Sequence, residues 1–344
     1  MRHHALPLGV CAAVNPFNAP VPTMILKCIP ALATGNVIIV KPSEKTPLGS
    51  LALAPLFEKA GIPKGVVQVI TGAGETGALL ASHMRIRKIS FTGSVPTGKK
   101  IQEAAAKSNL KRVTLELGGK SPAVVFDDAN LDNALTWTVN AILARSGQVC
   151  VAATRVYVQS SIAQAFVDKY SEKMKAAVKS IREVGGVQHG DTGCYMEPTL
   201  FLNPRADADI YKNEIFGPVA VIKTFETEEE VLKMANDTEY GLMSGVFTKD
   251  IGRALRMAKG LDSGVVGVNC VSYVSISMIL NCMNMQVPFG GRKQSGIGRE
   301  FGEYALRAYT EPKTILIKSR LTHKQHERLK LFAKTRKTDD SIGL

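Results

Sequence analysis

The sequence predicts an α/β fold: a doubly wound, Rossmann-like domain followed by a second α/β domain. Short apolar runs alternate with amphipathic segments along the first third, the pattern of a parallel sheet covered by helices. Gly35 and Gly61 fall where helical runs stop, because a C-terminal residue with positive φ costs glycine least. A chain of 344 residues, 45% apolar and 21% charged, is also long enough to bury two cores.

Expected strands of the first domain cover residues 9–14, 36–41, 66–71, 88–92 and 112–117. Helical runs over 23–34, 46–60, 76–82 and 96–107 separate them. A second unit begins near Gly118, with a helix over 131–145, a strand over 155–159 and a helix over 162–178. Further βαβ-like material covers 219–224, 228–236, 245–248, 251–259 and 264–269. Residues beyond Ser319 have the polar, charged composition of a frayed extension.

Composition excludes several classes. The net charge is +13, but residues 320–344 alone hold seven Lys or Arg against three acids, and no nucleic-acid-binding motif organises the remainder. A solvated basic surface is the expectation, with no nucleic acid as partner. Six cysteines include no C-x-x-C pair, so neither a metal site nor a disulfide framework is expected, and a reducing compartment, the cytoplasm, fits best. The first residues lack the pattern of a signal peptide, and the apolar stretch 265–287 holds too many polar groups for a bilayer span, so no membrane partner is expected.

Several fragments could carry chemistry. GAGETG, Gly72 to Gly77, is a G-x-G-x-x-G between a strand and a helix, yet no acid stands about 20 residues on to hold a ribose; it reads as a phosphate cradle or as a tight turn. In FTGSVPTG, Ser94 suits an N-cap or a phosphate donor, with Gly93 and Gly98 permitting close approach. Lys41 and Glu44 of VKPSEKTP follow another strand, where a cation and an acceptor suit ribose hydroxyls; the plain alternative is a solvated pair. Glu116 of LELGGK ends an apolar strand beside two glycines, where burial would raise its pKa toward that of a base; a solvated strand-end acid is the alternative. Cys150 sits among small residues in GQVCVAAT, approachable by a ligand, although most free cysteines are core.

The ordered set NPFNAP, ALATGN, VKPSEKTP, FTGSVPTG, LELGGKSP, GQVC, EIFGPV and PFGGRKQSGIGRE resembles the aldehyde dehydrogenase superfamily, NAD(P)-dependent enzymes that oxidise aldehydes to acids. The likeness runs from residue 6 to residue 318. It implies that Cys150 is the nucleophile, Asn18 with the Cys150 N–H the oxyanion donors, and Glu116 the base that activates water. It also implies Lys41 and Glu44 at the adenosine ribose, Gly93 and Ser94 at the pyrophosphate, and Glu214 and Phe216 beside the nicotinamide. Glu44 should repel a 2'-phosphate, so NAD is expected over NADP. The partners implied are a small-molecule aldehyde and a second copy of the chain.

On that resemblance, residues 1–118 form the NAD-binding domain, 119–308 the catalytic domain, 309–319 an oligomerisation strand and 320–344 a basic tail. Members of the superfamily start with further helices ahead of this point and carry several dozen residues where this chain has one short segment near residue 180. They also lack the stretch SMILNCMNM, Ser277 to Met285. These departures predict low stability, since lost packing at roughly 25 cal/mol per Å² rivals a net stability of about 5–15 kcal/mol. The alternative function is a catalytically silent remnant that binds nucleotide or a partner subunit.

Overall fold

A computed structural model describes residues 2–178, 193, 196–272, 284–316 and 327. The segment near residue 180, most of the stretch from Ser277 to Met285 and nearly all of the basic tail lie outside the described residues. Among the described residues, those from 7 to 310 form one compact unit and those outside that span belong to another. Strand β1 (Arg2–Pro7) and the last strand, β16 (Thr310–Ile315), make a two-stranded sheet.

The first large sheet is built from β2 (Val10–Val14), β3 (Val37–Lys41), β4 (Val67–Val69), β5 (Lys88–Thr92) and β6 (Arg112–Glu116), all parallel. Helices α1 (Pro20–Ala33), α2 (Pro47–Lys59), α3 (Gly74–Ser82) and α4 (Val95–Lys107) connect them. Both α1 and α2 open on proline, whose fixed φ suits a first turn and whose missing N–H loses nothing there. The order β6-β5-β2-β3-β4 reverses direction between β2 and β5, so the sheet is doubly wound. Residues alternate accordingly: Cys11 and Ala13 pack under α1, while Ala12, Ile89 and Phe91 pack with Leu80 of α3 and Ile101 of α4.

A second parallel sheet follows, formed by β7 (Pro122–Val125), β8 (Arg155–Gln159), β9 (Thr199–Leu202), β10 (Val219–Phe225), β12 (Met243–Phe247) and β13 (Val265–Val268), in the order β13-β12-β7-β8-β10-β9. One face carries α5 (Leu131–Leu143) and α6 (Ala163–Val178); the other carries α8 (Glu228–Asn236) and α9 (Ile251–Gly260). Side-chain caps start three of these helices: Asn130 to the Asn133 N–H, Thr227 to Glu230, and Asp250 to Gly252 and Arg253. Among the described residues no helix is long and apolar enough to cross a membrane.

Smaller elements fill the joins: α7 (Asp209–Lys212), α10 (Gly302–Ala308), and an antiparallel pair β11 (Tyr240–Gly241) and β14 (Arg292–Lys293). Beside β6, β15 (Gly296–Ile297) runs antiparallel, with Gly296 opposite Glu116. The first sheet thus gains a strand contributed from far along the chain. Strands β7, β9 and β15 go beyond the sequence expectation, being only two to four residues long and too short to display a period.

Candidate active site

After α5 the chain turns sharply, and Arg145, Ser146 and Gly147 all take positive φ (50°, 54° and 74°). Left-handed backbone costs a non-glycine residue about 1–2 kcal/mol, so this turn persists only because other contacts fix it. An Arg145 guanidinium N–H donates to the Asn18 carbonyl at 2.9 Å, and the Asn18 side-chain amide donates to the Gln148 carbonyl at 2.8 Å. The Gln148 N–H closes the loop on Arg145 at 3.1 Å. This clasp sets Asn18 against the segment that carries Cys150.

Cys150 is partly buried, and its thiol contacts the carboxyl of Glu116 at the end of β6. Glu116 is itself buried, and its Oε1 accepts no hydrogen bond among the described residues. Burial, followed by the negative charge of Glu300, pushes its pKa up to about 7, against the downward pull of the thiol and of Lys27. Burial and the Glu116 carboxylate likewise hold the Cys150 thiol well above its usual range. Near neutrality the pair therefore rests as a thiol beside a carboxyl poised to gain or lose a proton.

Two charged residues behind Glu116 escaped the sequence reading. Lys27 of α1 pairs with Glu300 at 2.5 Å, and the Ser90 hydroxyl bonds to both at 3.1 Å. A signal was available, since Lys27 is a lone charge inside the apolar run MILKCIP and is 1% exposed.

The paired glycines after Glu116 have separate steric reasons. A Cβ on Gly118 would lie 2.2 Å from Oε2 of Glu214, and one on Gly119 would lie 2.2 Å from the Cys150 carbonyl oxygen. Glu214 accepts the Gly119 N–H at 3.1 Å, and burial raises its pKa against that hydrogen bond and the nearby Lys120. Phe216, with φ of 57°, turns its ring edge-on to Phe17 at 5.8 Å. Cys150, Glu116, Asn18 and Glu214 are thus brought together, and Phe216 joins them through the loop that precedes Asn18.

The remaining predicted residues stand at strand ends of the first sheet. Lys41, 3% exposed at the end of β3, donates to the Pro42 carbonyl at 3.0 Å and reaches Glu44 at 3.5 Å. A backbone N–H, then Lys41 and Lys45, hold the Glu44 carboxyl below its usual range, so it is ionised. The Gly93 N–H is engaged by the Glu116 carbonyl at 3.1 Å. Ser94 occupies the N-cap position of α4, but its hydroxyl bonds to that of Thr97 rather than to a helix N–H. GAGETG lies beside the edge strand β4, where Gly77 packs 3.9 Å from the Lys41 stem.

These features fit a dinucleotide. The first turn of α4 holds no acid, and Ser94 leaves its N–H groups uncapped, as an anionic diphosphate requires. At the reversal point between β2 and β5, the Asn15 amide and the Thr92 hydroxyl are buried without hydrogen-bond partners among the described residues. Ligands of open α/β sheets bind at this point.

Comparison with known proteins agrees. The family model described as aldehyde dehydrogenase family matches residues 1–183 and 179–315. An aldehyde dehydrogenase of Agaricus bisporus is 43% identical over 348 residues, covering 91% of this chain and 67% of that protein. Lactaldehyde dehydrogenase from Escherichia coli superposes with a TM-score of 0.85 at 35% identity, over 92% of this chain and 72% of its own. Betaine aldehyde dehydrogenase from Staphylococcus aureus, solved in complex with NAD+, gives 0.83 at 35% identity, over 90% of this chain and 67% of its own. The chain therefore belongs to the aldehyde dehydrogenase family, and spans about two thirds of the length of these relatives.

Proposed function

We propose that the chain oxidises an aldehyde to a carboxylic acid with NAD, through a covalent intermediate on Cys150. The observation that carries this reading is the contact between a partly buried thiol and a carboxyl whose pKa is pushed up to about 7. A carboxylate of that basicity can accept the thiol proton as the sulfur attacks the aldehyde carbon, so that the S–H bond breaks while the S–C bond forms. One N–H of Asn18 is spent on Gln148; the other, with the Cys150 backbone N–H, donates to the developing oxyanion. Bound NAD supplies the hydride acceptor. Glu116 passes the thiol proton to solvent, and the thioester left on Cys150 is then hydrolysed by water that the freed carboxylate deprotonates, which accounts for an acid beside the sulfur.

For the cofactor, Glu214 and Phe216 would hold the nicotinamide end, Ser94 and the α4 N-terminus the pyrophosphate, and Lys41 with Glu44 the adenosine ribose. Gly93 permits the approach and anchors the Glu116 backbone.

NADH formation by the purified chain with a panel of aldehydes tests the reading. Turnover supports it; NAD binding with neither turnover nor a single-turnover burst favours the silent alternative. Asn18→Ala is expected to lower kcat by about 10²-fold or more while leaving NAD affinity in place. Steady-state comparison of the two cofactors checks Glu44. NAD is expected to win, and Glu44→Gln to narrow the gap by removing the repulsion; a clear preference for NADP refutes the assignment.

A further inference from the structure

At the sheet's reversal point, Asn15 presents a separate acceptor atom and donor atom that are both left over among the described residues. It follows β2 directly, is 3% exposed, and neither Oδ1 nor Nδ2 has a hydrogen-bond partner among the described residues. Its backbone N–H is satisfied by the Lys41 carbonyl at 3.0 Å, so only the amide is unspent. Burying an unpaired amide costs about 1–3 kcal/mol, which a fold keeps only where something uses the group.

Register shows where the amide faces. Val14 pairs with Phe91, which sets Asn15 beside Thr92, and Thr92 pairs with Glu116. The three form a row across β2, β5 and β6, with strands about 4.8 Å apart. Asn15 continues the alternation of Cys11 and Ala13 beneath α1, and Thr92 that of Lys88 and Ser90. Lys41 instead lies against Gly77 of α3, on the opposite face. The amide therefore belongs to the half of the crevice that contains Glu116 and Cys150.

We infer that the Asn15 side chain pairs with the carboxamide of the nicotinamide, one N–H given and one accepted, and so sets how the ring lies over the site. This rests on the dinucleotide reading above. An amide side chain complements a primary carboxamide in both directions, whereas a phosphate would leave its oxygen unpaired. Thr92 flanks the same slot but donates and accepts through a single oxygen, and Glu116 is engaged with the Cys150 thiol, so neither spans a carboxamide as an amide does.

Calorimetric titration of wild type, Asn15→Leu and Asn15→Ser with NAD and with ADP-ribose, alongside thermal unfolding without cofactor, tests the inference. The expected result is an NAD Kd raised about tenfold, or about 1.4 kcal/mol, in both variants, with ADP-ribose affinity unchanged. Tm of the free Asn15→Leu protein should hold or rise, because an unpaired amide is removed. Wild type should also bind 3-acetylpyridine adenine dinucleotide, which lacks the carboxamide N–H, more weakly than NAD, and Asn15→Leu should lose that discrimination. Unchanged NAD affinity, or an equal loss with ADP-ribose, overturns the inference while leaving NAD binding intact. Failure of wild type to bind NAD removes the dinucleotide reading and this inference together.

Discussion

Replacing Cys150 with alanine is expected to lower kcat/KM for aldehyde oxidation by about 10⁴-fold or more, because no other group can form the covalent intermediate. NAD affinity should survive, since the sulfur touches Glu116 and no predicted cofactor residue other than Glu214 influences it. Steady-state NADH formation together with direct titration separates these two quantities. Residual turnover within tenfold of wild type would remove Cys150 from the chemistry and leave Glu116 as a buried structural acid.

Glu116→Gln carries the second large effect. Loss of the base should lower kcat by about 10²- to 10⁴-fold and abolish the acid limb of the pH profile, which in wild type rises through about pH 7. Stability should move the other way. The folded pKa, about 7, lies above the ordinary value of 4.5, so the fold favours the neutral carboxyl. That contribution is full below about pH 4.5 and is lost as pH rises through about 7; the displacement corresponds to about 3 kcal/mol once the carboxylate is forced to ionise. Glutamine never ionises, so its Tm should match wild type near pH 4 and exceed it at pH 8. Thermal unfolding across that window checks the sign, and a variant less stable at pH 8 than wild type would contradict the burial argument.

The sequence reading located long strands where parallel strands buried on both faces are nearly continuous apolar runs, as at 9–14 and 36–41. It located α8 and the strand at 155–159 at their observed bounds. It passed over β7, whose four residues begin with proline, and β15, whose two residues belong to the first sheet only through pairing with β6. Site geometry was legible in part. Burial of Glu116 was one of two readings of a strand-end acid, and its contact with Cys150 joins positions that no local pattern relates. The cations and acids behind it, Lys27 and Glu300, are 273 residues apart, and their pairing had no counterpart in sequence spacing. Asn15 carries no local signal in the sequence; only register sets it in a row with Thr92 and Glu116.

The strand beside Glu116 has a consequence for biogenesis. Ser295 receives the Leu117 N–H at 2.9 Å and gives its hydroxyl to the Gly118 carbonyl, 177 residues earlier, at 2.6 Å. Pairing with β5 and the Gly93 N–H hold the inner side of the Glu116 backbone, but its outer side stays open until the intervening chain is made, and long loop closures of this kind form late. Nucleophile and base are both synthesised well before Ser295, so its two contacts beside the base are made later. The outer wall of the site is thus completed only after residues 295–297 have been made.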